Sequence, residues 1–234
     1  MRIAEFGITP ILATNQMTMA CLFPKQSEDG EYASAESYRA LYRRYAVLPV
    51  QTHSLNVGVV EYPHQFFENT DALVSFRPDI PVGVVTADCV PLLIYAPDVE
   101  GRAAVHAGWK GTIGGIVDNT LDILMERGAD PEKMIVVIGP AIHVESYEVD
   151  RDLAERFTEA GFGEFVVWPN GEQGKPHLDL IGVNRERLLR RGIPEGNIII
   201  HPADTFGFVD TDGFRFPSYR RSGGSPLRML SFIS

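Results

Sequence analysis

The sequence predicts one mixed α/β domain. Short runs rich in β-branched residues are interspersed with amphipathic helical stretches, in no regular strand–helix–strand alternation. No G-x-G-x-x-G or phosphate-loop pattern stands at any strand–helix junction, which argues against a doubly wound nucleotide-binding fold. The length of 234 residues suits a single large domain, and 44% hydrophobic against 22% charged residues supplies a sizeable core.

The elements follow in order. Polar Lys25–Ala35 reads as an exposed loop, and a helix is expected from Ser37 to Tyr45. Val57–Glu61, Ala72–Ser75, Val82–Thr86, Leu92–Tyr95 and Ala103–Ala107 each read as a strand. One helix is expected over Thr112–Arg127. There Ile113, Ile116, Val117, Leu121 and Leu124 fall on one face, Asp118, Asp122 and Glu126 lie opposite, and Gly128 is placed to stop it. Ile135–Ile138 is an apolar strand ending at Gly139-Pro140. Helices at Arg151–Ala160 and Ile181–Arg191 flank a strand at Phe165–Trp168. Strands at Ile198–Ile200 and Met229–Ile233 complete the set. There is no internal repeat or low-complexity tract.

A formal charge of −10 argues against a nucleic-acid surface or an anionic-membrane patch, although a locally basic pocket for a small anion remains compatible with it. Two cysteines, Cys21 and Cys89, are too few for a disulfide framework and fit a reducing compartment. The first ten residues lack the pattern of a secretory signal, and no stretch approaches the roughly 18 apolar residues of a membrane helix. The expectation is a cytoplasmic, soluble protein.

Three segments carry chemistry: Gln51-Thr52-His53, Thr86-Ala87-Asp88-Cys89-Val90-Pro91 and His106-Ala107-Gly108-Trp109-Lys110-Gly111. Each sets a histidine or cysteine at the edge of an apolar strand. Two histidines and one thiolate suit zinc, and three protein ligands leave a fourth position open, as catalytic sites do. The intervals between positions 53, 89 and 106 are far longer than those of a compact zinc finger. Spacing alone is a weak signal for metal, and a buried cysteine with two hydrogen-bonded core histidines is the other reading. Gly108, Gly111, Gly114 and Gly115 thin the turn after His106, and Lys110 lies in it. That turn either offers free N–H groups to an anion or simply permits tight packing.

These segments resemble the laccase-domain (multicopper polyphenol oxidase-like) family, now associated with purine nucleoside phosphorylase and adenosine deaminase activity. The resemblance rests on Gln51–His53, Thr86–Pro91, His106–Gly111, Gly139–Ile142, Leu178-Asp179, Ser218–Arg221 and Arg228–Ile233, and runs from about residue 39 to the end. It implies a mixed β-sandwich flanked by helices, spanning 1–234 as one domain with residues 1–36 a divergent N-terminal segment. It implies zinc on His53, Cys89 and His106, with copper the lesser alternative. The chain departs from the pattern at Tyr38, where asparagine is usual, at Asp204-Thr205, where the family has Cys-Thr, and at Leu227, where it has glycine.

The implied reactions are phosphorolysis of purine nucleosides, methylthioadenosine included, and deamination of adenosine. Purine nucleosides and inorganic phosphate would be the partners. Arg39, Lys110, Arg220, Arg221 and Arg228 are the candidates for phosphate and substrate. Read as strand, Arg220 and Arg221 would point to opposite faces, so that only one would meet the anion. Cys89, His106 and Asp88 are the catalytic candidates, Asp88 either orienting a ligand histidine, carrying a proton or pairing structurally. Three other readings stand beside this one: a cysteine-type hydrolase with Cys89 as nucleophile, of the kind a related family member uses in editing cell-wall precursors; a zinc- or anion-binding regulatory module; and a copper-dependent phenol oxidase, for which six histidines are too few.

Overall fold

The computed structural model describes residues 6–13, 18–24, 42–169, 171, 173–211, 213, 215–225 and 227–234. The expected loop at 25–35, most of the expected helix at 37–45 and candidate Arg39 lie outside them. Twelve strands are described: β1 (Phe6–Ala13), β2 (Thr18–Pro24), β3 (Val57–Val60), β4 (Ala72–Ser75), β5 (Val82–Thr86), β6 (Val90–Ala96), β7 (Gly101–Ala107), β8 (Ile135–Ile138), β9 (Val166–Val167), β10 (His177–Leu178), β11 (Ile198–Ile200) and β12 (Met229–Ile233). The helices are α1 (Trp109–Gly114), α2 (Ile116–Glu126), α3 (Arg151–Phe157), α4 (Leu180–Arg190) and α5 (Tyr219–Ser222).

A six-stranded mixed sheet in the order β11-β8-β6-β7-β4-β3 packs on a four-stranded antiparallel sheet in the order β1-β2-β12-β5. The alternation of side chains along each strand builds the layers. In β6, Leu92 and Ile94 face α2 and α4, joining Ile116, Val117, Leu121, Leu124, Val183 and Leu188. Leu93 and Tyr95 face the second sheet, where Val82, Val84 and Ile233 meet them. The inner strands β4, β6, β7 and β8 are thus covered on both faces, which is why they read as unbroken apolar runs. Tyr42, Leu48, Val85 and Leu230 form a third cluster. The result is the expected mixed α/β architecture.

Three local expectations need correction. The helix expected over Thr112–Arg127 begins at Trp109 and is broken at Gly115, whose φ of 88° is left-handed and ends α1 before α2 starts. Arg187 braces this break, donating from Nε to the Thr112 carbonyl at 2.8 Å and from Nη2 to the Ile113 carbonyl at 2.7 Å. The helix expected to reach Ala160 ends at Phe157 in a wider turn, with Gly161 at φ 83°. Ser218–Arg221 is not extended: Ser218 caps α5 by accepting from the Arg221 amide. Strands β1, β2 and β10 go beyond those the sequence patterns mark, while β9 lies within the strand expected at Phe165–Trp168.

Candidate metal centre

The sheet register brings the three motif residues to one end of the larger sheet. β3 and β4 run parallel and start there, with Val57 opposite Ala72. β6 starts and β7 ends there, with Val90 opposite Ala107 and Pro91 opposite His106. Cys89, just before β6, and His106, near the end of β7, are therefore neighbours across the ladder, and the loop before β3 carries His53 over them. The ligand atoms of His53, Cys89 and His106 all lie within 4.8 Å of one another. Cys89 Sγ is 3.9 Å from His53 Nε2, and the two imidazoles meet edge to face with centroids 4.9 Å apart.

A tetrahedral zinc with bonds of about 2.1 Å to nitrogen and 2.3 Å to sulfur spaces its ligand atoms by about 3.5 Å. The Cys89–His53 separation is close to that, so the donor set fits a metal ion in type and in size. Gly108 keeps the space clear. A Cβ built there would lie 2.6 Å from His53 Cδ2 and 3.1 Å from Cys89 Sγ.

Asp71 is the residue that makes these ligands a site, and no sequence motif singled it out. It is fully buried at the mouth of β4. Its Oδ1 accepts from His106 Nδ1 at 2.7 Å and from the His53 amide at 3.0 Å. Its Oδ2 accepts from the Thr52 amide at 3.1 Å, the Ser54 amide at 2.6 Å and the Ser54 hydroxyl at 2.8 Å. With Nδ1 engaged, His106 presents Nε2 to Cys89 and His53, the second-sphere arrangement that fixes the tautomer of a ligand histidine. Burial opposes the charge on Asp71, but the bonds from His106, Ser54 and Thr52 outweigh it and lower its pKa to about 2. The one signal for it in the sequence is an acid standing directly before the apolar run Ala72–Ser75.

Gln51 anchors the same loop. Its Nε2 donates to the Val85 carbonyl and its Oε1 accepts from the Val85 amide, both at 2.8 Å, so the side chain imitates a strand partner for β5. Cys89 and His106 favour opposite charges in each other's presence. Burial disfavours both, yet their mutual attraction, with Asp71 behind His106, lowers the thiol to about 6 and raises the imidazole to about 9. A cation bound between them would take the place of that proton.

Asp88 lies on the other side of Cys89 and serves other partners. Its φ of 87° is a left-handed conformation that costs a non-glycine residue about 1–2 kcal/mol. Two bonds hold it there: Oδ1 accepts from the Thr205 hydroxyl and Oδ2 from the Arg220 amide, each at 2.7 Å. Holding the ligand histidine therefore falls to Asp71, while Asp88 ties the Thr205 loop and α5 to the strand end. Among the basic candidates, Arg221 is fully engaged, its guanidinium donating to the Thr205, Phe206 and Phe216 carbonyls. Arg228 donates to the Ser225 and Leu227 carbonyls. Exposed Lys110 lies over the Trp109 ring, 5.5 Å from its centroid. Arg220 is exposed and gives one donor, Nη1, to the Glu148 carbonyl at 2.8 Å. Of the basic candidates, Arg220 is tied directly to the residue beside Cys89.

The chain is similar to known proteins over most of its length. A purine nucleoside phosphorylase of Deinococcus radiodurans is 39% identical over 183 residues, covering 78% of this chain and 67% of that protein. The adenosine deaminase RL5, from an unknown prokaryotic organism, is 34% identical over 163 residues, covering 65% of this chain and 62% of that protein. The crystal structure of the YfiH protein of Bacillus licheniformis superimposes with a TM-score of 0.80 at 26% identity, covering 94% of this chain and 93% of that one. The multi-copper polyphenol oxidoreductase laccase family matches residues 26–234, and with the ligand geometry and these relatives it follows that the chain belongs to that family.

Proposed function

We propose that the chain is a zinc-dependent purine nucleoside phosphorylase, acting on methylthioadenosine as well, that also deaminates adenosine. The observation that carries this reading is the His53–Cys89–His106 set with Asp71 behind it, in a chain whose relatives bear those two enzyme names. Zinc in a three-ligand site supplies Lewis-acid polarisation of an oxygen at its open fourth position. The protein does the rest. Asp71 keeps the two histidines aimed. Arg220 offers guanidinium donors to an incoming phosphate, whose oxygen attacks C1′ of the nucleoside while the purine leaves. In deamination the nucleophile is water, attacking C6 with loss of ammonia, and no anion need be held. On this reading Cys89 and His106 serve catalysis as metal ligands, and Asp88 serves it by fixing Arg220.

The 3.9 Å approach of Cys89 Sγ to His53 Nε2 also favours a second reading, a cysteine nucleophile with a histidine base. The same experiment separates them. Metal analysis of the purified protein should find a single zinc per chain, and a panel of nucleosides with and without phosphate should show phosphate-dependent release of purine from inosine and ammonia from adenosine. Chelation should abolish both. Activity that survives complete removal of metal would favour the thiol nucleophile. No turnover of any nucleoside would sink the phosphorylase reading.

A further inference from the structure

Tyr147 stands beside this centre and neither the sequence motifs nor the roles given above use it. Its backbone is fixed on both sides, the amide donating to the Val144 carbonyl at 3.3 Å and the carbonyl accepting from the Leu178 amide at 3.1 Å. Its ring packs against the main core. The Arg220 guanidinium carbon lies over that ring, 5.1 Å from the centroid, while the Arg220 amide is bonded to Asp88, the residue before Cys89. Among the described residues the Tyr147 hydroxyl has no hydrogen-bond partner, although the ring is half-buried. Arg220 likewise has Nε and Nη2 left over after its bond to Glu148. A phenol and a guanidinium with free donors, stacked and tied to the strand end that carries Cys89, form a clamp for an oxyanion.

We infer that Tyr147 is a substrate-contacting residue whose hydroxyl, held under Arg220, donates a hydrogen bond to an oxygen of the phosphate that enters the site. This rests on the phosphorylase reading and deepens it. The chemistry suits the position. Burial and the neighbouring charges of Cys89 and Asp88, opposed by Arg220, push the phenol up to about 12. It therefore stays a neutral donor throughout the working range, and adds no negative charge beside a thiolate and an incoming anion.

The variant Tyr147→Phe keeps the ring and the stack and removes only the hydroxyl. In zinc-loaded protein, calorimetric titration with inorganic phosphate should show affinity falling about tenfold, with zinc content and Tm unchanged. The phosphate KM of inosine phosphorolysis should rise by a similar factor, and adenosine deamination should change less. Arg220→Gln, at the other half of the clamp, should lower phosphate affinity further, and the double variant should lose less than the product of the two single losses. Wild-type phosphate affinity in Tyr147→Phe overturns the assignment alone. A wild-type protein that binds no phosphate and cleaves no inosine overturns the phosphorylase reading together with it.

Discussion

Two buried carboxylates flank the Cys89 strand end, and they do opposite kinds of work. Asp71 collects donors from His106 and the 52–54 loop, so everything it holds is a proposed metal ligand or adjoins one. Asp88 collects the Thr205 hydroxyl and the Arg220 amide, so everything it holds belongs to the Thr205 loop and α5, which carries the arginine proposed for phosphate. The lesson is that the acid inside the T-A-D-C motif is not the acid that orients the ligands. The orienting acid is two strands away in the sheet, at β4, where the strand order and not the sequence motif puts it in reach of His106.

The sharpest way to break this division is at the ligands themselves. Cys89→Ala should lose zinc and both activities while the circular dichroism of the fold survives, because the thiol sits at a strand end and is partly exposed. Retention of full zinc would remove the ligand assignment. Asp71→Asn comes next. It leaves one carbonyl oxygen to face donors that now share two carboxylate oxygens, and zinc affinity should fall about 10- to 100-fold in a chelator competition. Asp88→Asn should leave zinc affinity near wild type, and an equal loss in the two variants would erase the distinction between them.

The arginine pair tests the substrate side. Arg220→Ala should raise the phosphate KM about 10- to 100-fold and affect deamination much less. Arg221→Ala should instead cost about 1–3 kcal/mol of stability by freeing three carbonyls, visible as a Tm lower by several degrees with phosphate KM little changed. The smallest effect is expected far from both carboxylates. Cys21→Ser, in β2, should leave kcat within about twofold. A hundredfold loss would mean that β2 contributes to the site.

Much of this is legible in the sequence. The strands Ala72–Ser75, Val82–Thr86, Ile135–Ile138, Ile198–Ile200 and Met229–Ile233 stand where the apolar runs put them, because buried strands carry a strong local signal. The motif residues His53, Cys89 and His106 converge. Asp71 lies in no motif, since its role depends on β4 pairing with both β3 and β7, which no local pattern reveals. Arg221 and Arg220 look alike in the sequence. Only the turn of α5 and the three carbonyls around Arg221 separate a structural guanidinium from an available one. The break at Gly115 was hidden because Ile113 and Ile116 keep helical spacing across it.

The last strand has a consequence for how the molecule is made. β12 lies between β2 and β5, pairing Ser231 with Cys21 on one side and with Val84 on the other. Among the described residues, the β1–β2 hairpin therefore joins the rest of its sheet through β12, which is made more than 200 residues later than β2. On a ribosome, β2 and β5 emerge early, and each keeps an unpaired edge until residues 229–233 are out, a long-range closure of the kind that folds slowly and exposes strands to wrong partners. Nascent chains stalled before residue 229 should accordingly leave β2 and β5 open to protease, and those released beyond residue 233 should close the sheet in one step.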